Sequence, residues 1–261
     1  MASPIMREST LRSHHESVER VIEVMRNQMD QPMTLQQMAK IGFASPYHFN
    51  RTFRQVTGVP PFQFLYALRL EAAKRLLTQT QKKVIDICYE VGYNSVGTFT
   101  RRFADVLGVS PTSLRKLARG RSRSSSVNAK TAGLRAREKS GARLSGYVSV
   151  PEDFRGSVAI GLFATPIPQG KPVSCALMKA GGIYSLERIP DGGFYLFAVG
   201  LAHPVDGPVC FDYATALRGG GQSIRISQGL VEGDTSLHLR PPSAFDPPVL
   251  LVVPRVKTEV M

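Results

Sequence analysis

Residues 92–115 read GYNSVGTFTRRFADVLGVSPTSLR, and fifty positions earlier, at 42–65, stands GFASPYHFNRTFRQVTGVPPFQFL. Gly42, Phe43, Ser45, Phe49, Arg51, Phe53, Gly58, Val59 and Pro61 reappear as Gly92, Tyr93, Ser95, Phe99, Arg101, Phe103, Gly108, Val109 and Pro111, with one aromatic exchange and no gap. Most of these positions have a physical reason. A glycine closes one helix where positive φ is wanted, and a serine three residues on N-caps the next. Aromatic residues at i and i+4 pack inward while the arginine between them points elsewhere. The pattern predicts a helix-turn-helix, present twice.

The surrounding sequence supplies the other helices. Val18, Val21, Ile22, Met25 and Met29 recur at helical spacing. Thr34 with Gln37 forms a capping box that opens a short helix ending near Gly42. Ser45-Pro46 places an N-cap before a proline in the first helical position, starting a helix that runs to about Gly58. A long helix over 61–77 carries Leu65, Leu68, Ala72 and Leu76 on one stripe, and Val84, Ile87, Cys88 and Val91 mark a short one ending at Gly92. Cys88 is the repeat partner of Met38, which favours a buried apolar role for this cysteine.

Two helix-turn-helix units joined by a long helix resemble the DNA-binding region of AraC/XylS-type transcriptional regulators. The resemblance covers residues 18–117 and is strongest over 92–115. It implies that two recognition helices, about 45–58 and 95–107, enter successive major-groove segments on one face of a duplex. The helix centres then lie about one turn, roughly 34 Å, apart. Carried over by position, the candidate base or phosphate readers are Tyr47, Asn50, Arg51 and Arg54 in the first helix. In the second they are Val96, Thr98, Thr100, Arg101 and Arg102. Arginine suits bidentate contact with guanine and asparagine suits adenine. Ser45 and Ser95 stand at the helix starts, where backbone amides can hold phosphates. Val96 and Gly97 offer no polar side chain, so the second unit is expected to contribute less sequence information.

The rest of the chain differs in composition. The net charge of +13 over 261 residues is unevenly placed: residues 1–114 carry +5, 115–143 carry +9 and 144–261 carry −1. A basic first half and joint point to nucleic acid as the partner of that half. Residues 119–143, RGRSRSSSVNAKTAGLRAREKSGAR, have almost nothing apolar to bury and read as a disordered basic linker. After 143 come 15 of the 23 glycines and 12 of the 18 prolines. Between them lie short apolar runs at 144–150, 158–163, 173–178, 183–186, 194–199, 209–213, 224–227, 236–239 and 249–253, which predict a β-sandwich.

The expected organisation is therefore an all-α double helix-turn-helix domain (1–118), the linker (119–143) and an all-β sandwich (144–261). The stretch GGIYSLERIPDGGFYLFAVGL (181–201) is similar to the strand-turn-strand of prealbumin-like or carboxypeptidase-regulatory-like sandwiches. In it Tyr184 and Leu186 face one side, Ile183 and Ser185 the other, and Pro190-Asp191-Gly192 make the turn.

The composition also narrows the function classes. No apolar run approaches the roughly 20 residues of a membrane span, and MASPIMREST lacks a signal-peptide core, so a cytoplasmic protein is expected. Three scattered cysteines and five histidines make no metal-ligand spacing, so neither a metal nor a cofactor is expected. No catalytic constellation stands out. An alkyl-transfer enzyme would need an activated cysteine, and Cys210, in GPVCFDY, has no adjacent histidine. The reading is a sequence-specific DNA-binding regulator and not an enzyme. Its expected partners are double-stranded DNA and RNA polymerase, with a small-molecule effector and a homodimer left open. The sandwich modulates assembly or senses a ligand; the alternative for it is a carbohydrate- or protein-binding module.

Overall fold

The computed structural model describes residues 4–119, 141–202 and 215–251, with side chains from Leu11 onward. Seven helices come first: α1 (Pro4–Asn27), α2 (Leu35–Ile41), α3 (Pro46–Thr57), α4 (Pro61–Gln79), α5 (Val84–Glu90), α6 (Val96–Leu107) and α7 (Pro111–Ala118). The expected start signals act as read. Thr34 and Gln37 exchange both bonds of a capping box at α2. Ser45 caps α3 and Ser95 caps α6, each hydroxyl accepting the backbone N–H three residues on. Both of these helices end on a left-handed glycine, Gly58 and Gly108.

The repeated aromatics build the core. Phe49 and Phe53 pack tilted with ring centroids 5.5 Å apart, Phe53 meets Phe64 edge-on at 5.5 Å, and Phe99 and Phe103 pack tilted at 5.6 Å, all five being essentially inaccessible. Truncating one such ring costs about 3–5 kcal/mol, so these positions specify the fold before they specify anything else. The helix α4 is the spine. It is buried on nearly every side, including two cations, Arg69 and Lys74. Arg69 donates from Nε to the Met29 carbonyl (2.8 Å) and from Nη2 to the Gln31 carbonyl (2.9 Å), which ties the α1–α2 loop to the spine.

Eight strands follow: β1 (Ala142–Ser149), β2 (Gly156–Phe163), β3 (Ser174–Lys179), β4 (Gly182–Ile189), β5 (Gly192–Ala202), β6 (Leu217–Ser227), β7 (Leu230–Glu232) and β8 (Leu237–His238). They form a three-stranded sheet ordered β4-β1-β8 and a five-stranded sheet ordered β3-β2-β5-β6-β7. All pairings are antiparallel except β1 with β8. Leu144, Val148, Tyr184 and Leu186 of the smaller sheet share one core with Val158, Ile160, Leu196, Ala198 and Ile224 of the larger, as a sandwich requires.

Along β4 the expected alternation holds: Tyr184 and Leu186 are buried, Ile183 is exposed. A bulge at Arg188, whose φ is 57°, then returns Ile189 to the core. Strands β4 and β5 are joined at Pro190-Asp191 as expected but do not pair with each other; the chain crosses there from one sheet to the other. Strand β1 starts inside the stretch read as linker. The 249–253 run makes only an isolated bridge, Leu250 to Gln169, within the described residues. The 209–213 run and Cys210 lie outside the described residues, as does most of the linker.

Candidate nucleic-acid interface

The helix α3 is split lengthwise by its sequence. Phe49, Thr52, Phe53 and Thr57 are buried, whereas Tyr47, Asn50, Arg51 and Arg54 are exposed, at spacings of three and four. Those offsets place the four on one stripe of helix surface. Tyr47 is 82% exposed, far more than packing on a neighbouring helix allows. Helix α6 repeats the division with fewer outward polar groups. Thr98, Arg101 and Arg102 are exposed, while Thr100 is half-buried. Val96 is also half-buried and packs against the helical core, which removes it from the exposed stripe.

Among the described residues no acidic side chain pairs with the exposed arginines of these stripes. Among the described residues the ion pairs are Arg12–Glu16, Lys82–Glu90, Arg143–Glu187 and Arg240–Asp246. Arg51, Arg54 and Arg101 therefore hold exposed charge without an acidic partner. Arg102 is more constrained, its guanidinium lying 4.1 Å above the Tyr66 ring of α4. This cation–π contact holds the side chain in place while leaving its donors at the surface. Neither helix carries an acidic residue in its first turn, so the amides at Ser45 and Ser95 face no fixed negative charge there.

The helix α1 adds groups that sequence reasoning missed. His14 meets His48 of α3 edge-on, with ring centroids 5.5 Å apart. Partial burial lowers the His14 pKa, and the nearby His48, Arg51 and His15 push it the same way. Burial and the neighbouring cationic groups thus both favour the neutral form of this imidazole. Arg20 lies 5.1 Å over the ring of Phe43, which is 83% exposed immediately before α3. Its repeat mate Tyr93 is buried instead. The α1 groups sit outside the repeat and only tertiary packing brings them to α3.

The glycines ending α2 and α5 are equivalent in sequence but not in structure. Gly92 has φ +83°, as expected; Gly42 does not, with φ −80°, and the left-handed residue of the first unit is Phe43 at 53°. Gly42 is instead required by closeness: a Cβ would come 2.8 Å from Ser17 Oγ and 3.0 Å from the Phe49 ring. Ser17 donates from that Oγ to the Gly42 carbonyl (2.6 Å).

Among the described residues no three His, Cys, Asp or Glu side chains come together as metal ligands, and no helix is long and apolar enough to cross a membrane. Cys88 is buried, and burial raises its pKa above the ordinary thiol value, the opposite of activation.

Residues 20–117 match the protein family described as "Helix-turn-helix domain". Over 104 residues the chain is 31% identical to the "Bifunctional transcriptional activator/DNA repair enzyme AdaA" of Bacillus subtilis (strain 168), covering 40% of this chain and 49% of that protein. Over 82 residues it is 38% identical to an HTH-type transcriptional regulator of Haemophilus influenzae, covering 31% of this chain and 28% of that one. The chain thus spans half or less of the length of these curated relatives. The DNA-binding domain of AdpA, solved with a target DNA, aligns with 40% of this chain and 94% of its own at 27% identity, with a TM-score of 0.39.

Proposed function

We propose, from residues 20–117 as a helix-turn-helix region of the AraC/XylS type, that the protein is a sequence-specific regulator of transcription that binds double-stranded DNA. The observation that carries this reading is the stripe Tyr47, Asn50, Arg51 and Arg54: exposed, unneutralised, and mounted on a helix whose opposite face is locked by Phe49 and Phe53. A stiff helix with uncommitted donors on one face is what major-groove readout needs. Arg51 and Asn50 read base edges, Tyr47 and Arg54 flank them, and the Ser45 and Ser95 helix starts hold phosphates.

The two units contribute unequally. Where α3 has Tyr47 and Arg54, α6 has Gly97 and Ala104, and Val96 is committed to packing. Arg101 and Thr98 carry most of the second contact, with Arg102 held against Tyr66 beside them. The preferred site is therefore bipartite with one stringent half and one permissive half. RNA polymerase is the downstream partner, and the strand-rich part, residues 144–261, modulates assembly or senses a ligand from a cytoplasmic regulator.

The test is selection from a random duplex library with full-length protein. A bipartite motif with halves about one helical turn apart is expected. Recovery of no preferred sequence, with binding that merely falls steeply with salt, would overturn sequence-specific regulation. On the selected site Arg51→Ala is expected to cost about 1–3 kcal/mol and to relax preference at one position. Equal weakening on every sequence would make Arg51 a phosphate contact instead.

A further inference from the structure

The helical and strand-rich parts meet through side chains that leave one core for the other. Ile167 and Leu250, each 1% exposed, belong to the apolar cluster of the helices and not to the cluster between the sheets, and half-buried Phe245 packs with them. Two short segments present these residues. In the β2–β3 loop Thr165 Oγ1 donates to the Ile167 carbonyl (2.9 Å), and the Leu250 amide donates to the Pro168 carbonyl (2.9 Å), joining 164–170 to 249–251. Segment 241–250 is itself folded by Arg240, whose two Nη groups donate to the Asp246 carboxylate at 2.9 and 2.7 Å.

The helical elements receive these segments at several points. Lys74 of α4, only 2% exposed, donates to the Val249 carbonyl (2.9 Å). The Phe245 ring lies 5.2 Å from that of His15 on α1. Val56, Thr57 and Gly58, the last turn and cap of α3, line a cleft of about 310 Å³ with Pro166, Pro168 and Phe245. Gly170 lies against the last turn of α6, where a methyl on it would stand 3.5 Å from the Val106 carbonyl oxygen. Both recognition helices are thus approached at their C-terminal turns by these two segments.

We propose that loop 164–170 and segment 245–250 form an intramolecular brace across both helix-turn-helix units, with Ile167 and Leu250 as positioning residues that fix the spacing at which α3 and α6 meet the duplex. Neither residue touches DNA. Each anchors its segment in the helical core, and the neighbouring residues of those segments, Pro166, Pro168, Gly170 and Phe245, reach the last turns of α3 and α6. The proposal rests on the reading of α3 and α6 as recognition helices, and its consequence is a specificity for half-site spacing that the helical region alone lacks.

The test uses full-length protein and the I167D/L250D double variant, with I167A/L250A as a milder pair should the first fail to fold. Binding is measured on the selected duplex and on the same duplex carrying one extra base pair between its halves. The wild type is expected to lose at least about fivefold in affinity on the lengthened site, because one base pair turns a half-site by about a tenth of a helical turn. The variant is expected to lose less than about twofold. Hydrogen exchange without DNA forms the second arm: amides of 54–59 and 104–109 are expected to lose protection in the variant while those of 35–41 and 84–90 keep it. An unchanged spacing penalty, or unchanged protection at both helix ends, overturns the brace. Should the wild type select no duplex, the DNA reading fails while the exchange arm still decides whether the two helix ends are braced.

Discussion

A single glycine position, met twice, shows how far repetition in sequence constrains structure. Gly42 and Gly92 occupy equivalent places, yet only Gly92 is left-handed, and a Cβ there would also run into the Met29 carbonyl oxygen and stand 2.9 Å from the Arg69 guanidinium. Gly92→Ala therefore combines backbone strain with a clash against main chain, and about 1–3 kcal/mol or more is expected to be lost. Gly42→Ala meets the Ser17 hydroxyl, which can rotate away at the expense of one hydrogen bond, and the edge of the Phe49 ring at 3.0 Å, which must give by a few tenths of an ångström, but it brings neither positive φ nor a clash with main chain. Thermal unfolding of the two variants should rank Gly92→Ala as clearly the more destabilised; the reverse order would sink this account. The repeat made both glycines legible as turns. It did not reveal their different reasons, because those lie in Ser17, Met29 and Arg69, none of which belongs to the repeat. Arg51 and Asn50 were legible for the opposite reason: their exposure follows from the helical period alone.

At the scale of elements, the helices were readable because their ends are chemically marked. Ser45 and Ser95 each satisfy an amide three residues on, and replacing either by Ala should cost about 1 kcal/mol, read as a lowered denaturant midpoint with an unchanged m-value. A larger loss at Ser95 is expected, since Pro46 pre-sets the first turn of α3 whereas α6 begins with Val96 and Gly97. Strands were less legible. The run 224–227 was visible, but β6 begins at Leu217, through Gly219, Gly220 and Gly221, a stretch that reads as a loop by composition. It is a strand because of a bulge opposite Leu196 and Phe197. There Gly220, at φ +103°, passes so close to the Leu196 carbonyl that no side chain fits. The 181–201 stretch reads as strand-turn-strand because turn chemistry is local, whereas the sheet that β5 joins is decided by β2 and β6.

At the scale of the molecule, the joint between the parts was illegible. Lys74 and Val249 stand 175 positions apart, and no periodicity records that one will donate to the other. The joint also holds a carboxylate whose contribution depends on pH. Burial works against the charge of Asp246, but bonds from Arg240, the Ser243 amide and the nearby Arg218 outweigh it and hold the carboxyl below its ordinary value. A depressed native pKa stabilises the fold above the ordinary carboxylate value near 4, and that stabilisation is lost as pH falls through the lower native value. Unfolding midpoints measured from pH 6 to pH 2 should therefore drop less steeply below pH 4 in Asp246→Asn than in the wild type. Parallel curves would show that the Arg240 clasp contributes nothing.

The position of Leu250 in the helical core also has a consequence for synthesis. The helical region is complete by about residue 118, but the side chains that fill its outer pocket are made later, Leu250 about 130 residues afterwards. At bacterial and eukaryotic elongation rates of about 5–20 residues per second, the nascent chain carries that uncovered apolar site for roughly 7–26 seconds. During that interval α3 and α6 are already made, while Leu250 has yet to be added to the chain.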